Sequence, residues 1–200
     1  MDWYTKRRFG DLADDAAQHF GDREALVFEG KRYSFAEQAA EVDRAAKGLM
    51  AAGVEKGDHV AFWFNNRADW IFIAFALAKV GAVMVPVNTR FRTNDLDYVL
   101  RQSDSKVLIT HDRSGPIDYL EMVRDVITLP ASDESIDDPN FPALRRVLIV
   151  GDETAQGTLS WDAVTRMGAD ISDAELAARA ASVDPDDPVI IMYTSGTTGF

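Results

Sequence analysis

The sequence predicts an α/β protein built as a parallel sheet layered with helices, and three observations carry that prediction. Short runs without polar alternation, VAFWF from Val60, VMVPV from Val83, VLIT from Val107 and VLIV from Val147, have the composition of strands covered on both faces. Each of the first three is followed by a segment with helical spacing, and such alternation requires right-handed crossovers between parallel strands. The length of 200 residues, 46% hydrophobic and 27% charged, is enough for one well-filled core and too ordered in composition for a disordered chain.

The elements follow in order. Phe9, Leu12, Ala16 and Phe20 recur at three- and four-residue steps, which predicts an amphipathic helix over Phe9–Phe20, ending at Gly21. Ala25–Phe28 and Arg32–Tyr33, separated by Glu29 and Gly30, predict a short hairpin. Ser34 and Glu37 stand at capping-box spacing and open a helix whose buried stripe is Phe35, Ala39, Val42, Ala46 and Leu49, with Gly53 as its stop. An almost wholly apolar helix is expected over Trp70–Val80. Pro86 removes one donor from the next strand and marks an end or an edge. Helices are then expected near Asn94–Gln102 and Tyr119–Val126, an exposed acidic loop between Pro130 and Pro142, and an Ala-rich helix over Asp173–Ala181. A final strand, VIIMY at Val189–Tyr193, closes the series, and the whole reads as one α/β unit.

Composition narrows the function. The 21 Lys and Arg stand against 33 Asp and Glu, a net charge of −12, which argues against nucleic acid as a partner. With no Cys there is no disulfide, thiolate metal site or cysteine nucleophile, consistent with a cytoplasmic location. No apolar signal sequence follows the amino terminus, and the apolar run Trp70–Leu77 is too short to span a bilayer. His19, His59 and His111 lie at no metal-ligand or triad spacing, so they read as structural. Phe62, Trp63 and Phe64 read as core rather than as a ligand wall. Arg90 and Arg92, past a strand end, could meet an anion, but solvated positions account for them better. Asp186 and Asp187 read as turn caps.

The chemistry concentrates at the carboxyl terminus, where Thr194, Ser195, Gly196, Thr197, Thr198, Gly199 and Phe200 follow an apolar run directly. A Gly-rich turn after a parallel strand aims backbone amides and hydroxyls into one concavity, which is how phosphate oxygens are held. The glycines allow positive φ and close approach of the backbone to an anion. It is not a Walker A loop, since no GxxxxGK[ST] spacing is present.

The run YTSGTTG, with its Asp-Pro-x-Asp lead-in at Asp184–Asp187, resembles the phosphate-binding loop of the adenylate-forming superfamily. The segments EGKRYSFAEQ, GVEKGDHVAFWFNN, AKVGAVMVPVN and TNDLDYVLRQSDSKVLIT are similar, in this order, to the amino-terminal domain of acyl-CoA synthetases. The likeness is strongest to fatty-acid and other carboxylate CoA ligases; luciferase-like enzymes, aryl-CoA ligases and peptide-synthetase adenylation domains stand close by.

The resemblance implies a domain assignment and a reaction. Residues 1–200 would be the amino-terminal portion of an AMP-binding domain, interrupted within its phosphate loop. A carboxylic acid would attack the α-phosphorus of ATP with Mg2+, giving an acyl-adenylate, and coenzyme A would then displace AMP. Thr194, Ser195, Gly196, Thr197, Thr198 and Gly199 would hold the β- and γ-phosphates, and which residues would hold the metal stays open. The family's loop continues with Pro-Lys-Gly after the position of Phe200, and its adenine, ribose and magnesium residues and its catalytic lysine come later still. The implied expectation is therefore a ligase that the 200 residues alone do not make active, with no catalytic residue in this stretch. The rival expectation is a non-catalytic nucleotide- or partner-binding module. A stretch ending just after a core strand would leave sheet neighbours unpaired and apolar helix faces uncovered, which predicts self-association as a homo-oligomer, or a place within a larger assembly.

Overall fold

The computed structural model describes residues 6–132 and 134–194. A 3-10 turn at Phe9–Asp11 leads into α1 (Leu12–Phe20). The hairpin β1 (Glu24–Phe28) and β2 (Lys31–Ser34) turns at Glu29 and Gly30, both at positive φ, the backbone that a two-residue connection demands. Then come α2 (Phe35–Ala51), β3 (His59–Trp63), α3 (Ala68–Val80), β4 (Val83–Pro86), α4 (Thr93–Ser103) and β5 (Val107–His111). A two-residue ribbon, β6 (Arg113–Ser114) with β7 (Ile117–Asp118), precedes α5 (Tyr119–Val126). The chain continues through β8 (Arg146–Val150), β9 (Leu159–Ser160), α6 (Trp161–Met167) and α7 (Asp173–Ala181).

Five strands form one parallel sheet in the order β4-β3-β5-β8-β9. Counted along the sheet-forming strands this is the doubly wound order 2-1-3-4-5. Alternate residues of β3 divide the core in two: Val60 and Phe62 face α2, α3 and α6, while Ala61 and Trp63 face α4 and α5. The predicted layered α/β class is therefore the observed one. The capping box forms as read, with Ser34 Oγ accepting from the Glu37 amide and the Glu37 carboxylate from that of Ser34. No helix among the described residues is long and apolar enough to cross a membrane.

Three expectations need correction, and the short β9 and α6, which were not foreseen, come in addition to them. The opening segment buries Gly10 and Ala13, not the stripe Phe9, Leu12, Ala16 and Phe20, whose three large members remain 38–47% exposed. The cause is a close crossing: a Cβ on Gly10 would lie 2.5 Å from Lys79 Cα, so the backbones themselves meet, and Phe9 and Phe20 lie against the rings of Phe75 and Phe35 at the rim instead of inside the core. The acidic stretch 130–142 is not wholly exposed, since Ile136, Asp138 and Phe141 are buried. Burial raises the Asp138 carboxyl, but the amides of Thr128 and Asn140, both at 2.8 Å, more than offset this and hold it low.

The third correction concerns Val189–Tyr193, which is no buried strand: it makes one bridge, Ile190 to Met84, flanked by Met84 N to Val189 O and Ile191 N to Met84 O, both 2.9 Å. The next rung would need the amide of residue 86, and Pro86 has none, so the ladder stops after one step.

Lys79, on the wholly apolar-looking α3, is buried and bridges Asp14 of α1 (2.8 Å) and Asp43 of α2 (2.5 Å). Burial lowers its pKa, yet the two carboxylates outweigh this and raise it. Because the carboxylates are 40% and 45% exposed, Lys79→Ala is expected to cost about 2 kcal/mol, less than a fully buried pair. Lys79→Met, similar in volume, is expected to recover most of that in urea unfolding; equal losses in both variants would refute the packing account.

Candidate functional site

Open α/β sheets receive ligands at the carboxyl ends of their strands, first where the strand order reverses, here between β3 and β5. That point is closed in this molecule: Asn65 Nδ2 donates to Ser114 Oγ across it, and the Phe64 and His111 rings meet edge to face at 4.9 Å. The cleft lies one strand further out, at the end of β4. It measures about 600 Å³, with Pro86, Val87, Phe91, Tyr98, Tyr193 and Thr194 among its walls.

One wall is the turn between β4 and α4, and buried aromatics hold it from beneath. Trp63 Nε1 donates to the Asn88 carbonyl at 3.1 Å, and Tyr119 Oη reaches the Thr89 carbonyl at 3.4 Å. Arg92 Nη1 donates to the carbonyls of Phe91 (2.7 Å) and Arg90 (2.9 Å). The Arg92 guanidinium therefore fastens its own turn, while Arg90 is exposed and does not line the cleft. Across the gap Tyr98 and Tyr193 stand edge to face at 6.4 Å, and burial, then Tyr98 and Asp104, pushes the Tyr193 phenol up.

Of the predicted phosphate-binding set, Thr194 lines this cleft. Ser195, Gly196, Thr197, Thr198 and Gly199 lie outside the described residues. The side-chain donors of the described lining are the Thr194 hydroxyl, the Tyr98 and Tyr193 phenols and the side-chain amides of Asn88 and Asn94, and Asp95 is its one charged residue. Thr194 is also where the Gly-rich run begins. Among the described residues no group of three or more His, Asp or Glu side chains could hold a metal.

The remaining candidates behave as structural groups. Asp187 Oδ2 accepts the Asp184 amide at 2.8 Å and pairs with Lys56 at 2.8 Å, while Asp186 pairs with Lys6. His19 and His59 bond to the carbonyls of Asp15 and Ser103. Asp112 is a residue that sequence reading missed: its carboxylate accepts amides of Arg113 (2.6 Å), Asp152 (2.8 Å) and Glu153 (3.0 Å), sewing the end of β5 to that of β8. Burial raises its pKa, but these amides outweigh it and hold the carboxyl low. The available signal was an Asp just past one apolar run and a Gly-Asp pair, Gly151-Asp152, just past the next.

Buried His111 bonds through Nδ1 to the Val150 carbonyl at 2.9 Å, and burial, aided by Arg67, lowers its pKa below 6.5. The unfolded chain therefore binds this proton more readily, so stability is complete above about pH 6.5 and falls as pH drops through that value, by at most about 1.4 kcal/mol per pH unit for one group. In urea titrations across this range His111→Asn is expected to show a shallower pH slope than the parent; identical slopes would refute the assignment.

Comparison with known proteins now bears on the site. The family model for AMP-binding enzymes matches residues 13–200. YngI of Bacillus subtilis (strain 168), whose name assigns it provisionally to the acyl-CoA synthetases, is 37% identical over 195 residues, covering 96% of this chain and 36% of the relative. The mouse mitochondrial medium-chain acyl-CoA ligase ACSF2 is 34% identical over 195 residues, covering 95% of this chain and 32% of the relative. Among solved structures, MbtA of Mycobacterium smegmatis superposes with a TM-score of 0.77 at 25% identity, covering 99% of this chain and 33% of that one. The chain thus spans about a third of the length of the relatives it matches.

Proposed function

Because the chain belongs to the family of AMP-binding enzymes, we propose that it is the amino-terminal portion of an AMP-forming acyl-CoA synthetase that activates a carboxylic acid, with a fatty acid as the acyl donor. The observation that carries this reading is the junction at Thr194, where a cleft at the carboxyl edge of a doubly wound sheet meets the TSGTTG run. ATP supplies the phosphorus that the carboxylate attacks, and coenzyme A the thiol that takes the acyl group. In this reading Thr194, Ser195, Thr197 and Thr198 donate hydroxyl hydrogen bonds to the β- and γ-phosphates. Gly196 and Gly199 let the backbone amides approach them, and Mg2+ accompanies the nucleotide. The apolar walls of the cleft limit water beside Thr194. We place the protein in the cytoplasm on its cysteine-free composition.

The 200 residues alone are expected to form no acyl-adenylate, because preorganised charge stabilisation is the largest catalytic contribution in such a site and the loop carries no cation. The test is carboxylate-dependent exchange of pyrophosphate into ATP, measured for the complete coding frame and for residues 1–200. Exchange by the former with fatty acids, and none by the latter, is expected. Failure of the complete frame with every carboxylate would overturn the ligase reading in favour of a non-catalytic binding module. Exchange by the 200 residues alone would overturn their inactivity.

A further inference from the structure

His111 is the last residue of β5 and is buried, its ring edge to face with Phe64 at 4.9 Å and tilted against Tyr119 of α5 at 6.2 Å. A carbonyl can only accept, so the bond to Val150 fixes the ring hydrogen on Nδ1 and leaves Nε2 to take any second proton. Among the described residues Nε2 meets no hydrogen-bond acceptor, so the imidazolium would sit beside two aromatic rings with one of its donors unpaired. The charges acting on the ring are Arg67, just ahead of α3, Asp112, its neighbour in the chain, and Asp69 in the first turn of α3. Arg67 resists the second proton more strongly than either carboxylate favours it.

The contacts that shut the crevice between β3 and β5 all run through this ring and the residue after it. Phe64, packed on the ring, precedes Asn65, whose amide donates to Ser114 Oγ on the β6–β7 ribbon. The Asp112 carbonyl accepts the Tyr119 and Leu120 amides at 3.0 and 3.2 Å, and its carboxylate holds the loop after β8. That clasp has no slack, since a Cβ on Gly151 would lie 2.2 Å from the carboxylate. We propose that His111 is a proton-operated latch: while its ring is neutral the crevice stays shut, and a second proton on the ring releases the β6–β7 ribbon and opens it. The ribbon is the part that yields, because it has two residues per strand and one ion pair, Arg113 to Asp118, whereas β3, β5 and β8 lie in continuous ladders. The opened crevice lies where the strand order reverses, the place at which doubly wound sheets receive ligands.

Hydrogen exchange of the protein from the complete coding frame tests this, read by mass spectrometry from about pH 7.5 to about pH 5.5 and expressed as protection so that intrinsic exchange rates cancel. Peptides covering 112–120 are expected to lose protection as pH falls, by up to about tenfold per pH unit for one proton, while those from β3 and β4 keep theirs. His111→Asn keeps a donor for the Val150 carbonyl but cannot take a second proton, and it should hold the ribbon's protection constant with pH. Arg67→Gln, at a half-exposed position, keeps His111 and removes the cation that resists protonation, so opening should begin at a higher pH. It carries the test if His111→Asn does not fold. Ribbon protection independent of pH in the parent, a loss that survives His111→Asn, no upward shift with Arg67→Gln, or a loss shared equally by β3 and β4 would overturn the proposal.

Discussion

Trp63→Ala is expected to cost about 3–5 kcal/mol of folding stability, the range for truncating a fully buried large aromatic. The side chain is 0% exposed, lies edge to face with Tyr119 at 4.7 Å and sends its Nε1–H to the Asn88 carbonyl. Deleting it opens a cavity between β3 and α5 and releases the turn that walls the cleft. Trp63→Phe separates the two roles. It retains much of the volume but removes the indole donor, leaving the Asn88 carbonyl with the Phe91 amide alone, a loss of about 1 kcal/mol. Urea unfolding followed by far-UV circular dichroism measures both. Limited proteolysis of 87–92 reads the turn directly, and faster cleavage is expected in both variants. A Trp63→Phe protein as stable and as protease-resistant as the parent would show that the hydrogen bond does not hold the turn.

Gly168→Ala is expected to cost about 3 kcal/mol, at the upper end of overpacking losses. A Cβ there would lie 2.5 Å from Gly48 N, 2.8 Å from Lys47 C and 2.9 Å from Gly48 Cα, all backbone of α2. No side chain can rotate aside, so α2 and the 3-10 turn after α6 must separate, loosening Val164 and Trp161 from the core. The reciprocal change, Gly48→Ala, brings a Cβ to 2.9 Å of the Val164 carbonyl and should also destabilise, more mildly. The two are in direct contact, so the double variant should be markedly non-additive. Denaturation midpoints for the three variants supply the measurement. A Gly168→Ala protein within about 0.5 kcal/mol of the parent would mean that α6 moves away at no cost.

Legibility followed the range of the interactions. The capping box at Ser34 and Glu37, the apolar strands and the helix Asp173–Ala181 depend on neighbours within a few residues, and those neighbours are visible in sequence. The helix predicted for the opening segment forms, but its stripe stays half-exposed, because side-chain periodicity says nothing about a backbone crossing such as that of Gly10 against Lys79. β9 and α6 went unseen because two strand residues and one short helix carry too little pattern to stand out.

For the candidate site the division is similar. The family resemblance and the TSGTTG run are local properties, and the sequence by itself determined them, together with the layered α/β class, the acidic surface and the absence of cysteine chemistry. The tertiary structure decided that the cleft lies beside β4 rather than where the strand order reverses. It also made Asp112 a clasp between two strand ends. Tertiary pairing likewise halted the segment after Pro188 at one rung. The physical reason is that these outcomes depend on which groups meet across 25 to 180 positions of chain, as with Trp63 and Asn88 or Lys6 and Asp186. Local spacing encodes which face of an element is apolar; packing determines what that face meets.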